Sequence, residues 1–221
     1  MSQPTALILS DGPPPSKELL LQLANENTLF LCADGGANQA ATCGRTPDYV
    51  VGDLDSLAPE VKQRLAPDRL IRIDADDTGT DLQKVLNHAL ELNVKAAVLT
   101  GVSGGRADHT LWNLGLLKTY ADRLDLRIVD DFNEIRLIRG SIRFSARIGL
   151  KLSLAPLLAT VEGITTRGLK FPLSSESLGY GVRDGISNEV IANPVEISVR
   201  EGDLLLCIQR EEGGAEIDLG S

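Results

Sequence analysis

The first 130 residues switch between two hydrophobic periods. Short apolar runs predict six strands: "TALILS" (5–10), "TLFLCA" (28–33), "DYVVGD" (48–53), "RLIRID" (69–74), "KAAVLTG" (95–101) and "DLRIVD" (125–130). Between them lie stretches that read as helices: 16–27, 35–44, 59–66, 80–93 and 108–121. The clearest is "TDLQKVLNHALELN", where Leu82, Val85, Leu86, Ala89 and Leu90 recur at 3.6-residue spacing along one face. Gly44 closes the second helix, and Pro59 suits the first turn of the third. Repeated β-α units imply a mainly parallel sheet with helices on both faces.

Near residue 135 the helical period stops. Short alternating runs follow: "IRLIRGSIRF", "LKLSLAPL", "ATVEGITT", "VEISVR" and "DLLLCIQ", punctuated by turn residues such as "REGD". Period-two alternation with regular turns predicts an antiparallel β-sandwich or barrel. The expected organisation is therefore an α/β domain over 1–135 and an all-β domain over 136–221, with a loosely held tail "EEGGAEIDLGS".

Composition narrows the partners. The net charge of −9 lacks the basic footprint of a nucleic-acid binder and disfavours anionic membrane surfaces. It suits small or cationic ligands, or anions accompanied by metal ions. Three cysteines without a CxxC spacing point to neither a disulfide framework nor a zinc site. The N-terminus lacks a basic region before its apolar run, and no run approaches the roughly 18 residues of a membrane span. A cytoplasmic protein is expected.

Ligands of open α/β sheets bind beyond the carboxyl ends of the strands. Glycine and aspartate collect there four times: "ADGGAN" (33–38), "GDLDS" (52–56), "DADDTGTD" (74–81) and "GVSGGRADH" (101–109). In "GDLDS", Asp53 and Asp55 would share a face if the chain is extended, and their mutual repulsion suggests a divalent cation. The competing reading is a turn ahead of a helix. Asp81 is a possible third carboxylate, although Thr80 with Gln83 also forms a capping box that explains it locally. The glycines of "GVSGGRADH" bring backbone N–H groups close to phosphate, and Arg106 can clamp one. It is neither a Walker loop nor GxGxxG. His109 is a phosphate contact or a helix-start residue, and His88, off the apolar face of its helix, reads as solvated. Asp34 or Asn38 can meet a ribose or a base edge. "YGVRDGISNEV" (180–190) reads as a loop that presents Ser187 and Asn188.

The ordered series "ADGGAN", "GDLDS", Thr80-Asp81, "GGRADH" with Asn113, and "GISNE" resembles thiamine pyrophosphokinases across nearly the whole chain. The resemblance implies transfer of the pyrophosphoryl group of ATP to the hydroxyl of thiamine, giving thiamine diphosphate and AMP. It implies Mg²⁺, and a homodimer whose thiamine site draws on both subunits. By motif match, Asp53, Asp55 and Asp81 would hold metal and polyphosphate. Asp34, Gly35, Gly36, Asn38, Thr80, Gly104, Gly105, Arg106, Asp108, His109 and Asn113 would line the ATP site. Ser187 and Asn188 would touch thiamine, and Asp55, Asp81 and Arg106 would carry catalysis. Two departures stand out. Thr78 occupies a position where many members carry aspartate, with Asp77 one residue further back, and the last strands offer no aromatic platform. The alternatives are a pyrophosphokinase for another heterocyclic alcohol such as a hydroxymethylpterin, a non-catalytic metal-dependent nucleotide sensor, and a calcium-stabilised module.

Overall fold

In a computed structural model that describes residues 5–74 and 79–210, the chain divides into two units between Asp131 and Phe132. Asp77, Thr78 and the tail from 211 lie outside the described residues.

Six parallel strands form the first unit: β1 (Thr5–Leu9), β2 (Thr28–Ala33), β3 (Tyr49–Gly52), β4 (Leu70–Arg72), β5 (Ala96–Thr100) and β6 (Asp125–Val129). Their order is β6-β5-β1-β2-β3-β4. The chain builds outward from β1 to β4, then returns to the other side of β1, so Leu9 pairs with both Cys32 and Thr100. That reversal is a topological switch point, where doubly wound sheets leave a crevice beyond the strand ends.

Among the described residues, five α-helices and a short 3-10 turn (Pro67–Arg69) connect the strands: α1 (Lys17–Leu23), α2 (Gly36–Thr42), α3 (Pro59–Lys62), α4 (Asp81–Glu91) and α5 (Ala107–Tyr120). Local chemistry sets their ends. The Ser16 hydroxyl accepts from Leu19 N at the start of α1, Pro59 opens α3, and Thr80 and Gln83 make the expected reciprocal cap on α4. Leu82, Val85, Leu86 and Ala89 bury the predicted face of α4. The helix expected over 59–66 shortens to one turn, and α1 stops at Leu23, before the "NEN" turn.

His88 departs from expectation. Its side chain is only 11% exposed, its ring meets Tyr49 of β3 edge-on at 5.2 Å, and Nδ1 lies 3.1 Å from Glu91 Oε2. The imidazole fills a gap beside the sheet rather than facing solvent.

The second unit contains two four-stranded antiparallel sheets. One orders β12 (Gly185–Glu189), β9 (Lys151–Pro156), β14 (Leu204–Gln209) and β7 (Asn133–Ile138). The other orders β11 (Glu176–Leu178), β10 (Val161–Arg167), β13 (Val195–Ser198) and β8 (Ser141–Phe144). Alternate residues Leu204, Leu206 and Ile208 of β14 enter a common core with Val161 and Ile164 of β10 and Val195 and Ile197 of β13. Two sheets that share one core make a β-sandwich. "GISNE" is a strand, not a loop: it pairs at the sheet edge with β9, Asn188 opposite Leu152, with a register shift between Gly185 and Asn188. The bulge hides the alternation that would have marked it in the sequence.

Candidate active site

The aspartate loop after β3 is curled, not extended. Gly52 ends the strand at φ +156°, and Leu54 adopts φ +64°. The extended-chain argument for a shared face therefore does not apply. Asp53 and Asp55 meet because the chain folds back, with Asp55 N donating to Asp53 Oδ1 at 3.2 Å. Asn38 of α2 holds the curl: its Nδ2 donates to Ser56 O at 2.8 Å and its Oδ1 accepts from Ala58 N at 2.9 Å. Its amide is committed to the loop. A side chain at Gly52 would be strained, because the backbone takes φ +156° and a Cβ would sit 3.0 Å from Asp34 Cβ.

Asp34 completes the cluster. One oxygen each from Asp34, Asp53 and Asp55 lies within 4.8 Å of the other two. Asp34 is buried, at φ +36°. Its Oδ2 accepts from Ser56 N at 3.3 Å, while its Oδ1 is buried with no hydrogen-bond partner. Burial first, then the nearby Asp53, Asp81 and Asp55 charges, raise its pKa to about 6 against the Ser56 hydrogen bond. Asp53 moves the other way, chiefly because the Asp55 N–H stabilises its charge. Three clustered carboxylates with an orphaned buried oxygen fit a hard divalent cation, which takes oxygen ligands. Asp81 stands at the first turn of α4, with Oδ1 2.9 Å from Lys84 Nζ.

A cleft of about 660 Å³ opens at the strand ends, in the size range of ligand sites. Asp34 and Gly35 line it after β2, Thr80 and Asp81 at α4, and Gly104, Gly105 and Arg106 after β5. His109 and Asn113 enter from α5, with Asn113 Nδ2 donating to Val102 O at 2.9 Å. Gly104 and Gly105 both take positive φ (+81° and +65°), so the loop turns its backbone without a side-chain clash. Arg106 pairs with Asp108, Nε to Oδ1 at 3.2 Å, and this holds the Asp108 carboxyl down at about 2. Gly36, Asn38, Asp53, Asp55 and Asp108 are not among the cleft-lining residues. The first three support or adjoin those that are, Asp55 neighbours Ser56, and Asp108 orients Arg106.

Sequence reasoning missed the loop after β1. Ser10, Asp11, Gly12 and Pro13 also line the cleft. Gly12 N donates to Gly101 O at 2.9 Å, and Gln39 Nε2 donates to Gly12 O at 2.9 Å and Asp11 Oδ1 at 3.3 Å. Burial raises the Asp11 carboxyl, partly offset by Gln39. The signal was present: "DGPPP" follows a strand and carries aspartate and glycine, as the other four loops do.

In the β unit, Ser187 is exposed at φ +58° and lines a depression of about 480 Å³ with Ser153, Lys151 and Arg210. Its N–H donates to Ser153 Oγ at 3.0 Å. Asn188 is buried. Its Oδ1 accepts from Phe171 N and Glu189 N, and its Nδ2 donates to Phe171 O at 2.8 Å. That amide holds the 171 segment in place.

A doubly wound α/β unit with an acid-lined, glycine-looped cleft at its switch point, followed by a β-sandwich, defines a class of nucleotide-handling proteins. Comparison makes the class particular. The model described as "Thiamin pyrophosphokinase, catalytic domain" matches residues 20–129, and "Thiamin pyrophosphokinase, vitamin B1 binding domain" matches residues 141–204. The chain belongs to the thiamine pyrophosphokinase family. Thiamine pyrophosphokinase of Bacillus subtilis strain 168 is 29% identical over 207 residues, spanning 91% of this chain and 97% of its own. The crystal structure of thiamine pyrophosphokinase from Bacillus subtilis superposes with a TM-score of 0.81 at 27% identity, covering 93% of this chain and 98% of that one. The thiamin pyrophosphokinase structure from Geobacillus thermodenitrificans gives 0.78 at 30% identity, covering 94% and 98%.

Proposed function

We propose that this protein is an ATP-dependent thiamine diphosphokinase of the cytoplasm. The thiamine hydroxyl oxygen attacks the β-phosphorus of ATP, the bond from that phosphorus to the oxygen it shares with the α-phosphate breaks, AMP leaves, and the hydroxyl proton is released. The observation that carries the reading is the carboxylate cluster beside a glycine-looped cleft, in a chain whose two halves match the two parts of this family in order.

The residues divide the work. Asp34, Asp53 and Asp55, with Asp81 beside them, hold Mg²⁺. When bound, the cation neutralises polyphosphate charge and favours the ionised form of a nearby hydroxyl. The backbone of Gly104 and Gly105 approaches the phosphates, Arg106 clamps them, and His109 and Asn113 line the same wall. No side chain needs to form a covalent bond, because phosphoryl transfer rests on positioning and electrostatics. Ser187 contacts thiamine. The cationic thiazolium suits an acidic protein of net charge −9. The working form is a homodimer whose active site draws on both copies.

Purified protein incubated with thiamine, ATP and Mg²⁺ is expected to form AMP and thiamine diphosphate in equal amounts, followed by chromatography. Product with a pterin alcohol but none with thiamine would overturn the substrate assignment. ATP binding without AMP formation would identify a sensor instead.

A further inference from the structure

Among the described residues of the first unit, Lys84 is a buried cation to which the proposed function gives no role. It sits on α4 among the buried Leu82, Val85 and Leu86, and is itself buried. Its ammonium donates to Asp81 Oδ1 at 2.9 Å and to Ile73 O at 3.3 Å. Ile73 N in turn donates to Gly52 O at 2.8 Å, the residue immediately before Asp53. One side chain thus ties the start of α4 to the end of β4 and, through it, to the root of the aspartate loop.

A buried charge is costly unless paired, and an apolar side chain of similar volume would fill this space without that cost. The other buried residues of α4, Leu82, Val85, Leu86 and Ala89, are apolar. What an apolar residue would not provide is a fixed positive charge facing Asp81 beside Asp34, Asp53 and Asp55. Those four carboxylates must stand together before any cation arrives. Lys84 also occupies one oxygen of Asp81, which leaves the rest of a 40% exposed carboxylate to the cleft.

We propose that Lys84 is a positioning residue for the cation site: it fixes the Asp81 carboxylate in the orientation that receives the metal and offsets part of the charge of the acidic cluster. The inference rests on the metal-dependent reading of the cleft, and not on thiamine as the substrate. Partners that orient metal ligands typically change metal affinity or activity by about 10–100-fold when removed.

The test is direct titration of the nucleotide-free protein with Mn²⁺, counting free ion by electron paramagnetic resonance, alongside melting curves and steady-state kinetics. Lys84→Met is expected to weaken Mn²⁺ binding by about 10-fold or more, with a parallel fall in kcat and little change in the KM for thiamine. Lys84→Arg should restore most of the affinity. In an Asp81→Asn background, Lys84→Met should cost little further affinity, since the carboxylate it positions is gone. A folded Lys84→Met protein that binds Mn²⁺ as the wild type does, or losses that add fully in the double variant, would overturn the proposal. Should Lys84→Met not fold, Lys84→Gln decides: it keeps a donor for Ile73 O without the charge, and wild-type affinity there refutes the role. A wild-type protein that binds Mn²⁺ but makes no thiamine diphosphate would count against the proposed function while leaving this inference standing.

Discussion

Asp34 carries the clearest consequence of residue-level electrostatics. Its carboxyl, buried next to three others, titrates near 6 in the folded protein, against about 3.9 in an unfolded chain. The folded state therefore binds a proton more tightly than the unfolded state. Its contribution to stability is complete below about pH 4 and is lost as pH rises through about 6, because the unfolded chain gives up the proton first. Melting curves of the metal-free protein should show this decline across that window, and Asp34→Asn should flatten it. Cation binding favours the ionised carboxylate, so Mn²⁺ titrations by calorimetry at pH 6 should release a fraction of a proton in wild type and less in Asp34→Asn. A metal-free stability that rises between pH 4 and 6 in step with Asp34 would contradict this assignment.

At the scale of elements, the site depends on how loops are held to neighbouring helices. Asn38 is the example: placed on the first turns of α2, it holds both Ser56 and Ala58. Asn38→Ala leaves a backbone donor and acceptor without their protein partner; Ser56 is exposed and Ala58 half-buried, so water replaces part of the loss and the cost is about 0.5–1.5 kcal/mol. The expected result is a lower melting temperature together with a loss of kcat larger than the folded fraction explains. Wild-type turnover per folded molecule would show that the loop keeps its curl without Asn38. This also shows where the sequence was legible. All six strands of the first unit and the cap of α4 follow from period and local chemistry. The position of the Gly/Asp loops after β2, β3 and β5 follows from the strand-end rule, which extends to the missed Asp11 once it is applied to β1 as well. Other features depend on contacts distant in sequence or on backbone twist. The curl at Leu54 breaks the extended-chain assumption, the bulge disguises β12, and the backbone groups bonded by Asn38, Lys84 and Asn188 lie outside the elements that carry those side chains. Asn38 and Asn188, expected from the sequence to meet ligand, both have backbone groups to satisfy.

At the scale of the whole molecule, the proposed function makes a prediction about assembly. The β unit carries Ser187 exposed on an edge strand, while the cation cluster lies in the α/β unit. If the enzyme is a homodimer that draws each active site from both copies, two inactive variants should complement each other. Asp55→Asn removes one carboxylate charge from the acidic cluster with little change in side-chain volume. Its partner variant must spare Asn188, whose amide holds the Phe171 backbone, since losing it would confuse misfolding with loss of contact. Ser187→Trp serves instead, because an exposed side chain can be enlarged without opening the core. Each homodimer should be nearly inactive. Mixed and allowed to exchange subunits, a random assortment yields about half heterodimers, each with one intact site, so activity should recover to about a quarter of wild type. Exchange is confirmed by differently tagged copies. Recovery to that level supports a shared site, whereas no recovery among confirmed heterodimers means that each copy builds its active site alone.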